Sequence, residues 1–190
     1  MEENKGDFKQ EYLWELSIPQ SQLVALADAV PEEDFGWKPA EDARSFSAVL
    51  VHIAAGNLML LYRAGVHTAE VMEFCGSIEG EGISQWLAIV RKNFELERSV
   101  AGKTAVIDLL KRSFEAVRQS FSAALDEEIN AARDFFGQKS TKRRLYLRML
   151  AHSHEHMGQA IAYMRCMGLK APWPDPVKEM ERMVAGKKAE

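Results

Sequence analysis

The sequence predicts an all-α fold, a four-helix bundle with an inserted minor helix and a short C-terminal tail. Three observations predict it. Apolar residues recur at helical spacing along most of the chain. The alternating β-branched runs that mark strands are missing. Four long periodic segments are separated by proline, glycine and capping residues. The 190 residues, 47% hydrophobic and 27% charged, have ordinary globular composition. They suit a single domain over 1–190, with a core of about 8–172 and a tail over 173–190.

The first helix is expected within Phe8–Val30, where Tyr12, Leu13, Leu16, Leu23, Leu26 and Val30 form an apolar stripe. Pro19 lies inside it and predicts a kink or break, because proline removes a hydrogen bond and clashes with the preceding turn. Pro31 ends the element, and a loop with a Trp37–Pro39 turn follows. Ser45 is placed to cap the second helix, which runs to about Arg63. That helix is apolar almost all round, which suggests burial on several faces or a subunit contact.

Val66–Gly82 is the least regular part, punctuated by Gly76, Gly80 and Gly82. The minor helix is expected over Ile83–Glu97, with Trp86, Leu87, Val90 and Phe94 on one face. Thr104 is read as the cap of the third helix, which carries Val106, Leu110, Phe114, Val117, Phe121 and Leu125 at 4, 4, 3, 4, 4 spacing. Asp126–Ser140 reads as a connection. The fourth helix spans about Thr141–Met167, stopped by Gly168 and Pro172. The charged tail, Asp175–Glu190, reads as a short surface helix or a frayed end.

The net charge of −4 and a pI near 5.8 argue against a protein that binds nucleic acid through a basic face. The short run Lys139–Arg148 reads as a solvated helix face. Ala48–Leu61 is the most apolar stretch; it is shorter than a membrane span and holds His52 and Asn57, so no membrane partner is expected. Cys75 and Cys166 are far apart and form no CxxC pair. With a polar N-terminus, Met1–Gln10, they point to the cytoplasm.

The chemistry is concentrated in histidine. Leu145, Met149, His152, His156, Ala160, Tyr163 and Met167 form one stripe of the fourth helix at 4, 3, 4, 4, 3, 4 spacing. His152 and His156 therefore sit one turn apart on the inward face, a spacing that can place two imidazoles on one metal ion. His154 is about 200° round the helix from His152 and should point to solvent. His67 falls in the irregular segment. His52, midway along the second helix, is the other histidine on a buried regular element. Facing helices could make a three-imidazole site with an open coordination position. Spacing alone leaves a second reading open, in which these are hydrogen-bonded core histidines. The run His152–His156 also fits the inverted zinc-peptidase pattern H-x-x-E-H, with Glu155 as base. The chain is small for such an enzyme, and Gly158–Gln159 after His156 fits it poorly. In the simpler reading Glu155 is a solvated helix residue that pairs with Arg148 or Gln159. Tyr163, Trp37 and Trp86 read as packing residues, and Cys166 lies too far along the helix to join His156 on one ion.

Three segments carry a resemblance: KPAEDARSFSAVLVHIA, AGKTAVIDLL and HSHEHMGQAIAYMRCMGLKAP. The chain, over roughly Tyr12–Pro172, resembles the DinB-like, or YfiT-like, metalloenzyme superfamily. The resemblance implies a four-helix bundle, often a homodimer, with three metal ligands that fall here on His52, His152 and His156. It implies a divalent metal cofactor (Zn, Ni, Fe or Mn), and a small-molecule substrate with a low-molecular-weight thiol as partner. The expected activity is thiol S-transferase-like or hydrolytic, since a bound thiol or water is acidified by such an ion. The alternative is a non-enzymatic metal-binding or dimeric structural bundle. Pro19 and the long Val66–Glu97 insertion depart from the family pattern, which puts the pocket outline in doubt.

Overall fold

The computed structural model describes residues 7–76 and 78–186. The first residues of the polar N-terminus and the end of the tail lie outside them. Four long helices form the bundle: α1 (Phe8–Ala29), α2 (Phe46–Arg63), α5 (Lys103–Ala123) and α7 (Lys142–Cys166). Around them lie α3 (Ala69–Cys75), α4 (Gly82–Ser99), α6 (Asp126–Ile129), the hairpin β1–β2 (Ala132–Phe135 and Gln138–Thr141) and α8 (Pro176–Gly186). A short 3-10 turn over Glu32–Asp34 sits in the loop before α2.

α2 is the centre of the molecule. It packs against α5, α7, α4 and α3, while α1 packs on α5 and α7. Its apolar girth is thus covered by its own chain, with Val49, Leu50, Ile53, Ala54 and Leu61 fully buried. α2 is long and apolar enough to cross a membrane, but 67% of it is buried inside the bundle, as a core helix would be. Its start is fixed as expected: the Ser45 hydroxyl accepts from the Ala48 amide at 3.2 Å.

Several expectations are corrected. The break expected at Pro19 does not occur: α1 is continuous through this buried residue. The flanking Leu16, Leu23 and Leu26 are fully buried, and that packing outweighs one missing backbone bond. The C-terminal carbonyls of α1 are held by Lys103, whose Nζ donates to Asp28 O at 2.7 Å and Val30 O at 2.8 Å. α5 starts at Lys103 with Gly102 (φ 85°) as its N-cap, so the cap is not Thr104 and no side-chain hydroxyl serves there. Leu125 falls beyond α5 and is exposed. Within the irregular stretch, Thr68 caps the short α3 by accepting from the Val71 amide.

The expected absence of strands is also corrected. The connection before α7 folds as an antiparallel hairpin with Phe135 opposite Gln138. Its strands are only four residues each and carry no alternating pattern, so periodicity could not reveal them. The two-residue tip, Phe136 (φ 52°) and Gly137 (φ 80°), has the positive φ at both positions that a type I′ turn requires. Asp134 fastens the hairpin by accepting from Trp86 Nε1 at 2.9 Å and Arg63 Nη2 at 2.8 Å.

α4 turns a different face inward from the one expected. Trp86, Ile89 and Asn93 are buried, whereas Leu87 and Phe94 are 51% and 42% exposed. Two apolar faces compete in this helix, and the inward one also carries polar residues for the site. α8 forms a surface helix with no buried residue.

Candidate metal centre

α2 and α7 pack side by side and bring His52, His152 and His156 together. One nitrogen from each lies within 4.8 Å of the others. The ring centroids are 4.9 Å apart for His52–His152, 4.6 Å for His52–His156 and 4.6 Å for His152–His156. Gly56, one turn beyond His52, makes this approach possible. A Cβ there would stand 2.6 Å from His152 Cε1 and 2.9 Å from its Nδ1.

The outward nitrogens are tied down. His52 Nδ1 lies 2.7 Å from Glu97 Oε1, and the second carboxylate oxygen accepts from Arg44 Nε at 2.8 Å. A carboxylate only accepts, so His52 carries its proton on Nδ1 and turns a bare Nε2 toward the cluster. His156 Nδ1 lies 2.9 Å from Gln159 Oε1, and Gln159 Nε2 donates to the Tyr163 hydroxyl at 2.8 Å. His156 is likewise left with Nε2 free. The His152 and His52 Nε2 atoms stand 3.1 Å apart. With Nε2 of His52 bare, the Nε2–H of neutral His152 donates to it, a proton that a cation bound between them would replace. Buried His152 Nδ1 has no partner among the described residues.

Burial favours the neutral form of His152 and His156. Burial, then His52, His156 and the nearby Arg148 and Arg44, push His152 down to about 3. Burial also lowers His156, against the opposing Gln159 hydrogen bond. For Glu97, burial raises the pKa, but hydrogen bonds from His52 and Arg44 win and hold the carboxyl below its ordinary value. Neutral imidazoles with a carboxylate behind one of them are the donor set of a transition-metal site, so the residues fit a divalent ion.

The other sequence candidates fall outside the cluster. His154 is half-buried rather than solvated. Exposed Glu155 pairs with Arg148 at 3.0 Å, as the simpler reading of it expected. Exposed His67 lies beside Tyr62, and Cys166 is exposed. Tyr163 is buried and reaches the site through Gln159, while Trp37 packs on its ring at 5.4 Å.

Sequence reasoning missed Glu97. Its side chain is only 6% exposed. Trp86, Ile89, Asn93 and Glu97 follow one stripe at 3, 4, 4 spacing, and a polar pair on that face was the available signal. Nothing local marked Arg44.

A cavity of about 210 Å³ opens beside His52 and His152, with Asn93, Glu97 and Arg148 among its polar lining. A larger one, about 350 Å³, lies between α3, α4 and α5, where none of the three histidines reaches it. The most voluminous depression, about 790 Å³ between α1 and α5, is also lined by none of the histidines, so size does not find the chemistry.

The profile of the DinB superfamily matches residues 15–160. No curated protein matches the chain. Among solved structures, a DinB-like protein of Bacillus cereus is similar at 18% identity and a TM-score of 0.62, over 87% of this chain and 97% of that one. A DinB-like protein of Bacillus subtilis is similar at 20% identity and a TM-score of 0.59, over 84% of this chain and 93% of that one. These structural likenesses speak for the fold, and the profile match spans most of the bundle and all three histidines. The chain belongs to the DinB superfamily.

Proposed function

We propose that the protein is a metal-dependent enzyme that activates a low-molecular-weight thiol, or water, for transfer to a small electrophilic substrate. The observation that carries this is the cluster of three imidazoles beside a cavity, with the far nitrogens of His52 and His156 held by Glu97 and Gln159. His52, His152 and His156 would hold a divalent ion (Zn, Ni, Fe or Mn) through nitrogen. Bound there, such an ion supplies Lewis acidity that makes a thiol or water nucleophilic near neutral pH.

The protein residues do the rest. Glu97 fixes the tautomer and orientation of His52, and Arg44 anchors Glu97. Gln159, backed by Tyr163, does the same for His156. Three protein ligands leave a coordination position for substrate, the pattern of a catalytic rather than a closed structural site.

The test is a rate measurement. Metal-loaded protein is assayed with a panel of small thiols and an activated aryl halide, and in parallel with a nitrophenyl ester. Acceleration that disappears with chelator and in His156→Ala supports the reading. Loaded protein that accelerates neither reaction contradicts it and leaves a structural metal as the better account.

A further inference from the structure

The cavity beside the histidines has a chemical character of its own. Its apolar lining is Met59, Leu60, Val90, Phe94, Phe135 and Phe136, so three aromatic rings stand against the reactive end. Phe94 and Phe136 remain 42% and 43% exposed, which places aromatic surface where the cavity meets solvent.

Phe136 holds this position against local preference. It sits at φ 52°, in a turn that favours Asn-Gly. Its ring stacks on Trp86 with centroids 4.0 Å apart and planes 21° apart. Trp86 is in turn fixed by Asp134, and Arg133 Nε ties the hairpin to Ala64 O at 3.0 Å. A strained aromatic residue held from behind makes a pre-formed wall rather than a loose loop tip.

Asn93 belongs to the wall of the cavity beside His52 and is 5% exposed. Its side-chain amide lies 3.4 Å from His52 Nδ1. The end of the cavity next to His52 and His152 is therefore the polar one, opposite the aromatic rings.

We propose that this cavity takes a small aromatic compound, its ring against Phe94, Phe135 and Phe136 and its polar end toward His52 and His152. Resting on the reading of the histidines as the reactive centre, the assignment makes the non-reacting part of the substrate an aryl group and makes Phe136 a specificity-determining residue.

The probe is benzyl alcohol, compared with ethanol (polar end without ring), each titrated by NMR on the full chain. Benzyl alcohol should bind at least about fivefold more tightly than ethanol. Phe136→Asn suits the turn, so its Tm should stay within about 5 °C of wild type while benzyl alcohol binding weakens about fivefold or more. Val90→Trp, which fills the cavity from α4, should lose binding as well. His156→Ala should lose metal yet keep benzyl alcohol binding, which scores the cavity separately from the metal reading. Ethanol binding as tightly as benzyl alcohol, or wild-type binding in both Phe136→Asn and Val90→Trp, would overturn the assignment.

Discussion

Gly56 on α2 and His152 on α7 touch so closely that one added methyl group would lie 2.6 Å from the imidazole. The contact lets two helices present histidines to one point in space. A glycine inside a helix costs about 0.5–1 kcal/mol relative to alanine, so helix formation alone would favour Ala here.

Gly56→Ala therefore sets a local gain against a displaced ring. Overpacking costs about 1–3 kcal/mol, so the variant should be less stable than wild type. Its metal affinity, measured by competition with a chelator, should fall at least about tenfold. Unchanged affinity would show that His152 does not need this position.

Glu97 holds His52 from behind and is itself held by Arg44. Glu97→Ala frees the ring, and metal affinity should drop by about 10–100-fold with helix content retained on circular dichroism. Glu97→Gln keeps an acceptor oxygen and should lose less. Equal affinity in all three proteins would remove Glu97 from the site.

Acid should weaken the metal-free protein in a definite window. His152 is pushed down to about 3 from an ordinary 6.5. Between those values the unfolded chain binds the proton and the folded chain does not, so stability falls as pH drops from 6.5 toward 3 and this contribution levels off below. The Tm of the metal-free protein should show that decline, and His152→Leu should flatten it. A decline of the same size in His152→Leu would assign it to other groups.

The two cysteines should behave differently. Burial pushes the Cys75 thiol up to about 12, against a small opposing effect of Lys92, whereas Cys166 is exposed. A thiol reagent at pH 8 should label Cys166 quickly in the native state and Cys75 only after denaturation. Rapid native labelling of Cys75 would mean that the packing around α3 opens readily.

How much of this was legible in the chain depends on range. α2 and α7 follow from their own periodicity and caps, and the i, i+4 pair His152–His156 follows from one helix face. His52 was found because it lies on a buried stretch with no other histidine. The hairpin escaped because its strands are short and polar and its tip puts Phe136 where Asn is usual. Glu97 escaped because its meaning comes from His52, 45 residues away, and from the rotation of α4, which two competing apolar faces left ambiguous. The break read from Pro19 does not occur because burial on both sides of it overrides a local rule.

The central claim is that His52, His152 and His156 together hold one divalent ion. Elemental analysis of the purified wild-type protein and of His52→Ala, His152→Ala and His156→Ala tests it most directly. The account predicts about one transition-metal ion per chain in wild type and a small fraction of that in each variant with its helical fold intact. Wild-type protein without metal after refolding with Zn, Ni, Fe or Mn, or variants that hold as much metal as wild type, would contradict it.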